Sequence, residues 1–98
     1  MSRFDLIRDW AYKRNLILGS DIKSQTVKLG EEFGELCAGV ARHKRDLVKD
    51  SIGDIVVVLT ILAEQYSFSI EECIDAAYDE IKDRKGKMIN NVFVKEGE

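Results

Sequence analysis

The stretch Lys28–Leu36 has the sequence KLGEEFGEL and, together with Asp50–Asp54 (DSIGD), decides the fold of this chain. Both stretches are typical of helix. Each holds two carboxylates three or four residues apart, such as Glu32 and Glu35, so each pair projects from one side of its helix. Clustered carboxylates repel one another unless a positive group lies between them. The pattern therefore predicts two helices whose acids face a divalent cation, basic partners or solvent.

Length and composition predict one globular domain over residues 1–98, because 98 residues leave no room for a second core. The chain is 45% hydrophobic and 34% charged and contains no proline, which favours an all-α fold over disorder. A net charge of −3 argues against a general nucleic-acid-binding protein, which would carry a basic surface. We expect no nucleic-acid partner.

Apolar periodicity predicts four helices, at about residues 3–14, 20–41, 46–66 and 69–85. Ser20 or Asp21 can cap the second helix, Asp46 the third and Ser69 the fourth. Gly86 is the expected left-handed stop of the last helix. The prediction is a compact four-helix bundle-like domain with a short extended C-terminal tail.

The tail itself, residues 88–94, has the composition of extended chain. Asn90 and Asn91 in its middle favour a tight turn. Two structures fit this pattern: a short hairpin, or a tail laid across a neighbour.

The third predicted helix is apolar on more than one side. One broad face consists of Ile52, Ile55, Val56, Leu59, Leu62 and Ala63. Val57 and Ile61 lie on the opposite side, in line with Asp50 and Asp54. A single domain of this size can hardly cover both sides, so we expect the chain to oligomerise through its helices.

The glutamates of the second predicted helix lie on different faces. Its expected core stripe is Leu29, Phe33, Leu36 and Val40. Glu32 and Glu35 lie on the adjacent stripe with Lys28, whereas Glu31 points almost the opposite way. If the second and third helices pack antiparallel, these two glutamates can meet Asp50 and Asp54 at one level. Carboxylates beside a core need a partner, and Mg²⁺ suits oxygen ligands of this kind.

Two further groups favour a phosphate substrate. On the fourth helix Asp79 and Lys82 share a stripe with Asp75, and Arg84, Lys85 and Lys87 follow it. These cations either complement the helix dipole or form a basic lip for phosphate oxygens. Trp10 can stack on a nucleobase or belong to the core.

Several other chemistries lack the residues they need. Histidine occurs only at His43, and no Cys-x-x-Cys spacing occurs, which makes a zinc site improbable. No phosphate-binding glycine loop or serine-nucleophile motif is present. We expect Cys37 and Cys73 to be buried free thiols. With no apolar signal stretch and no run long enough to cross a bilayer, the sequence predicts a cytoplasmic protein without a membrane partner.

The carboxylate pattern resembles that of the MazG-like all-α nucleoside triphosphate pyrophosphohydrolases. The family signature is Glu-x-x-Glu on one helix and Glu-x-x-Asp on the next. Glu32 and Glu35 match the first half, Ile52-Gly53-Asp54 matches the end of the second, and the resemblance spans about residues 20–87. The chain departs from the signature at Ser51, where the family has a glutamate. We assign that metal-binding role to Asp50, one residue earlier.

The resemblance implies Mg²⁺-dependent hydrolysis of a nucleoside triphosphate between its α and β phosphates, giving the monophosphate and pyrophosphate, with Mn²⁺ as a substitute metal. The implied metal ligands are Glu32, Glu35, Asp50 and Asp54, of which Glu32 or Glu35 would act on the attacking water. The implied substrate-binding residues are Lys28, Asp79, Lys82, Arg84 and Trp10. The family works as dimers or dimer-of-dimers tetramers, so a homo-oligomer is expected.

Two alternatives stay open at the level of sequence. Phosphoribosyl-ATP pyrophosphatases belong to the same structural superfamily. A non-catalytic helical oligomerisation or regulatory module with an eroded metal site would also account for Ser51.

Overall fold

The computed structural model describes residues 1–97 and is predominantly helical. Its elements, in chain order, are α1 (Arg3–Lys13), α2 (Ile22–Ala41), α3 (Arg45–Gln65), α4 (Ile70–Ile81), β1 (Gly86–Ile89) and β2 (Val92–Lys95). The predicted all-α, four-helix fold with a short extended tail is confirmed. None of the helices in residues 1–97 is both long enough and apolar enough to cross a membrane.

Side-chain caps fix the start of three helices. The Ser2 hydroxyl accepts from the backbone N–H of Asp5, whose carboxylate accepts from Ser2 in return, and this capping box begins α1. Asp21 caps α2 and Ser69 caps α4, as the sequence indicates. The predicted cap at Asp46 is wrong, because α3 begins after Lys44 without a side-chain cap and Asp46 lies in its first turn.

Helices α2 and α3 form an antiparallel helical hairpin, which is the most extensive contact between helices. A three-residue connection joins them and includes His43 in the left-handed region (φ 56°). At Gly39 a Cβ would lie 3.1 Å from Cγ2 of Val48 and 3.2 Å from its backbone nitrogen. The missing side chain at Gly39 therefore lets the two helices approach closely.

Helix α1 covers the side of α3 that we assigned to a second copy. Ile61 is 4% exposed and forms a buried cluster with Ala11 of α1 and Ile17 of the following loop. Leu16 and Val57 pack against this cluster. The reason given for oligomerisation is therefore wrong for Val57 and Ile61, because the chain covers them itself.

Other apolar surfaces are left open instead. The expected core residues Phe33 and Val40 of α2 are 60% and 59% exposed, because Glu32 and Gly39 are the buried positions of this helix. Cys37, between them, is exposed rather than buried, and so is Cys73. Further exposed apolar side chains on α3 and α4 are Ile52, Ile74, Tyr78 and Ile81.

Strands β1 and β2 form an antiparallel hairpin in which Gly86 pairs with Lys95 and Ile89 with Val92. Asn90 and Asn91 both have positive φ, as a tight two-residue hairpin turn requires. The predicted role of Gly86 is wrong, because α4 ends at Ile81 and Gly86 opens β1. A side chain at Gly86 would collide with the Phe93 ring and the Val94 carbonyl, so glycine permits the close strand approach.

Candidate metal centre

The centre of the α2–α3 hairpin brings three carboxylates together. Glu32 and Glu35 lie one turn apart on α2, and Asp54 reaches them from α3. One oxygen from each carboxylate lies within 4.8 Å of the others. We refer to Glu32, Glu35 and Asp54 as the carboxylate cluster. Three acidic oxygens at this spacing have the chemistry of a site for a hard divalent cation.

Glu32 is the most buried member of the cluster, at 5% exposure. Its Oε1 lies 3.1 Å from Nζ of Lys28, one turn earlier on α2. Its Oε2 is buried and has no hydrogen-bond partner within residues 1–97. Leaving a buried carboxylate oxygen unpaired is costly, so Glu32 fits a cation at this position.

Asp54 is the member of the cluster whose ionisation its surroundings disfavour. Desolvation, followed by the negative charge of the nearby Glu32 carboxylate, raises the pKa of Asp54 above its ordinary value. The charge of Asp50 adds to the rise, whereas Lys28 opposes it. A divalent cation would relieve this repulsion, because it favours the ionised form of every carboxylate that binds it.

The structure does not bring Asp50 into the cluster. Asp50 lies one turn before Asp54, is exposed, and acts on Asp54 through its charge. Ser51, the position where the resembling family has glutamate, is fully buried, and its hydroxyl has no hydrogen-bond partner within residues 1–97. The small side chain of Ser51 therefore lies inside the protein and supplies no carboxylate.

A cleft of about 380 Å³ opens beside the cluster, between α1 and α3. Its lining consists of Arg3, Leu6, Ile7, Trp10, Asp54 and Val57. Asp54 belongs both to this cleft and to the carboxylate cluster. Trp10 is 43% exposed, and the Arg14 guanidinium lies over one side of its ring, 4.7 Å from the ring centroid.

Sequence reasoning selected Trp10 but missed the other α1 residues of this cleft. The signal was present, because Arg3, Ile7 and Trp10 recur at helical spacing and share one side of α1. The spacing did not determine which element this side of α1 would face. Only the packing of α1 against α3 does so.

The residues assigned to phosphate binding at the end of α4 pair with acids of their own segment. Lys82 pairs with Asp79 at 3.4 Å, and Arg84 with Glu80 at 3.5 Å. Helix α4 packs against α3 and makes no extensive contact with α2. The charges that dominate at Asp54 come from α2 and α3 rather than from α4.

Comparison with known proteins places this arrangement in a family. The model of the MazG nucleotide pyrophosphohydrolase domain matches residues 21–89, close to the 20–87 stretch that carries the resemblance. Over 59 residues, which make up 60% of this chain, the sequence is 58% identical to an uncharacterized 18.2 kDa protein in the rep-hol intergenic region of Haemophilus phage HP1 (strain HP1c1). The chain spans only 36% of that protein's length. No solved structure matches the chain. Since the family match covers most of the chain, including the whole carboxylate cluster, the protein belongs to the MazG nucleotide pyrophosphohydrolase family.

Proposed function

We propose that this protein is a Mg²⁺-dependent nucleoside triphosphate pyrophosphohydrolase that releases the nucleoside monophosphate and pyrophosphate. The observation that carries the proposal is the carboxylate cluster, in which the buried, unpartnered Oε2 of Glu32 lies within a group of three acids. Family membership supports the reaction class. The proposal places the protein in the cytoplasm, where its substrate is found.

Glu32, Glu35 and Asp54 would hold the cation. Bound Mg²⁺, or Mn²⁺ in its place, would neutralise triphosphate charge and lower the pKa of a bound water. Asp50 would add negative charge from one turn away, as its effect on Asp54 indicates. Lys28 holds Glu32 in place through their 3.1 Å ion pair, and its side chain, which is 53% exposed, would be available to phosphate oxygens.

Hydrolysis needs a group to orient water and accept its proton. We assign this role to Glu35, because Glu35 is exposed whereas Glu32 is buried and already paired with Lys28. The water oxygen bonds to the α-phosphorus, the bond from that phosphorus to the bridging oxygen breaks, and pyrophosphate leaves. The water proton passes to the Glu35 carboxylate.

The cleft between α1 and α3 would receive the nucleobase. Its apolar lining and the exposed Trp10 ring offer a stacking surface, and Asp54 links it to the metal-binding residues. A base in this cleft would leave the triphosphate directed toward the carboxylate cluster.

The proposed active form is a homo-oligomer, either a dimer or a dimer of dimers. The single chain exposes 7574 Å², whereas a compact monomer of its mass would expose about 5,700 Å². Its radius of gyration is 16.2 Å, against about 13 Å for a compact domain of this length. An interface of ordinary size buries about 800 Å² per partner, so the excess surface is sufficient for stable association.

Product analysis tests the proposal. The pure protein is incubated with Mg²⁺ and a panel of ribo- and deoxyribonucleoside triphosphates and phosphoribosyl-ATP, and the products are separated by ion-exchange chromatography. We expect monophosphate and pyrophosphate in equal amounts, with Glu35→Gln reducing the rate about 100-fold or more. Glu31→Gln is the matched control, because Glu31 lies on the same helix as Glu35 but outside the cluster.

Three results would contradict the proposal in different ways. Release of orthophosphate with a diphosphate would mean cleavage at another bond. Activity confined to phosphoribosyl-ATP would assign the narrower pyrophosphatase function. No hydrolysis of any substrate, together with no Mg²⁺ or Mn²⁺ binding by calorimetry, would favour the non-catalytic module.

A further inference from the structure

The cleft beside the carboxylate cluster has a defined direction, because the two helices that form it run the same way. Ala11 of α1 packs with Ile61 of α3 in the buried cluster. The α1 residues of the cleft all precede Ala11, and the α3 residues of the cleft, Asp54 and Val57, precede Ile61. Residue numbers therefore rise together along both helices, and the first turn of α1 lies at the level of Asp54.

This direction gives the cleft a charged end and an apolar end. Arg3 lines the charged end beside Asp54, and Trp10 lines the other end. Two turns of α1 separate Arg3 from Trp10, a distance of about 10 Å along the helix axis. Leu6 and Ile7 form the apolar lining between them. A nucleotide whose base stacks on Trp10 therefore extends its phosphates toward Arg3 and the carboxylate cluster.

The guanidinium of Arg3 is free to bind a ligand. Arg3 is exposed and forms no ion pair with any acid in residues 1–97, Asp54 included. Asp5, the nearest acid along α1, is already bound by Ser2 and Arg8. No protein carboxylate in this part of the chain therefore occupies the donors of Arg3.

A polyphosphate needs more positive charge than the carboxylate cluster holds. Lys28 is the cation paired with the cluster, and the charge of Asp50 adds to the three acids. A bound divalent cation would offset part of this negative charge, but the substrate adds negative charge of its own. Cleavage of a phosphoanhydride uses cationic clamps on the phosphate oxygens. Arg3 is the basic residue in the cleft lining, whereas the basic residues of 42–49 and 84–87 are not part of it.

We propose that Arg3 binds the phosphates of the nucleotide and so orients the triphosphate on the carboxylate cluster. A guanidinium presents its N–H donors in a planar fork that matches two phosphate oxygens at once. The first turn of α1 thus supplies a substrate-binding residue opposite the metal ligands of α2 and α3. The role of Arg3 rests on the proposed function, because it requires a nucleotide in the cleft.

Calorimetric titration with a substrate analogue tests this role without turnover. The ligand is the α,β-methylene analogue of the triphosphate that the protein cleaves fastest, in the presence of Mg²⁺. Arg3→Gln should weaken its binding by about ten- to 100-fold, as expected for lost charge-assisted hydrogen bonds. The matched control is Lys13→Gln, which removes a cation of the same helix that pairs with Asp9 and does not line the cleft. Lys13→Gln should bind the analogue as the wild type does.

Titration with Mn²⁺ alone separates phosphate binding from a structural role. Because Arg3→Gln removes a positive charge near Asp54, its affinity for Mn²⁺ should equal that of the wild type or exceed it slightly. A loss of Mn²⁺ affinity parallel to the loss of analogue affinity would overturn the proposal. Arg3 would then act by organising the metal ligands rather than by binding phosphates.

The same experiments distinguish failure of this proposal from failure of the proposed function. If the wild type cleaves a triphosphate and Arg3→Gln binds the analogue as tightly as Lys13→Gln does, the role of Arg3 is overturned and the proposed function stands. If the wild type cleaves no nucleotide, the proposed function fails, and the role of Arg3 fails with it.

Discussion

Lys28 Nζ lies 3.1 Å from Oε1 of Glu32, whereas Oε2 of the same carboxylate is buried without a partner. Lys28 therefore neutralises one carboxylate oxygen of Glu32, and the other oxygen is available to a cation. Glu32 in turn raises the pKa of Lys28, mainly through their hydrogen bond, so the ammonium stays charged at neutral pH. Lys28 thus reduces the repulsion in the cluster but also repels any cation that enters it.

Removing Lys28 should strengthen metal binding and weaken substrate binding. In Lys28→Met, calorimetric titration should show Mn²⁺ binding tighter by roughly three- to tenfold, because a positive charge near the site is lost. The KM for the nucleotide should rise, because a phosphate-facing cation is also lost. Lys23→Met controls for the charge of α2 as a whole. Weaker metal binding in Lys28→Met would show that Lys28 organises the cluster rather than competing with the cation.

Asp50 and Asp54 should differ in their effect on metal affinity. Asp54 lies in the carboxylate cluster and Asp50 acts on it only through charge. We expect Asp54→Asn to weaken Mn²⁺ binding by more than about 30-fold and Asp50→Asn by about threefold. Equal losses in the two variants would assign Asp50 the direct ligand role that the sequence suggested.

The close approach of α2 and α3 at Gly39 should be sensitive to a single methyl group. Gly39→Ala should lower the free energy of unfolding by about 1–3 kcal/mol, because the Cβ would press on Val48. Gly30→Ala is the control, since nothing lies within 4 Å of a Cβ there, and it should stabilise the helix by up to about 1 kcal/mol. Urea denaturation measures both. A stabilised Gly39→Ala variant would mean that the helices can separate at low cost.

The ion pairs of Arg8 should make stability depend on pH in the acidic range. Arg8 lies 2.6 Å from both Asp5 and Glu71 and joins α1 to α4. Its hydrogen bonds are the main reason that the pKa of Asp5 falls to about 2 and that the pKa of Glu71 is also lowered. A carboxyl whose pKa is lower in the folded state stabilises the fold above its unfolded pKa and loses this contribution as pH falls through the folded pKa.

The stability difference between wild type and Arg8→Gln should therefore shrink as the pH falls from 5 toward 2. Urea denaturation at several pH values measures this difference. The control is Arg14→Gln, because Arg14 stacks on Trp10 and is not paired with a carboxylate of residues 1–97. Its stability difference from wild type should stay constant over the same range, and a constant difference for Arg8→Gln would contradict the assigned pairing.

The sequence by itself determined the local structure. Helix starts at Asp21 and Ser69 follow from side-chain caps, and the turn at Asn90 and Asn91 follows from the tolerance of asparagine for positive φ. These features depend on interactions within a few residues, so the amino-acid order is sufficient to predict them. The spacing of Glu32 and Glu35 likewise fixed their common side of α2.

Only the tertiary structure decided which faces meet. Periodicity shows which residues share a face, but the rotation of a helix against its neighbour depends on how closely the two can pack. Close packing at Gly39 turns Glu32 inward and leaves Phe33 exposed, which reverses the expected assignment. The same packing brings Asp54, and not Asp50, to the two glutamates, and it leaves α1 to cover Ile61. These choices depend on contacts between residues far apart in the chain, which no local pattern encodes.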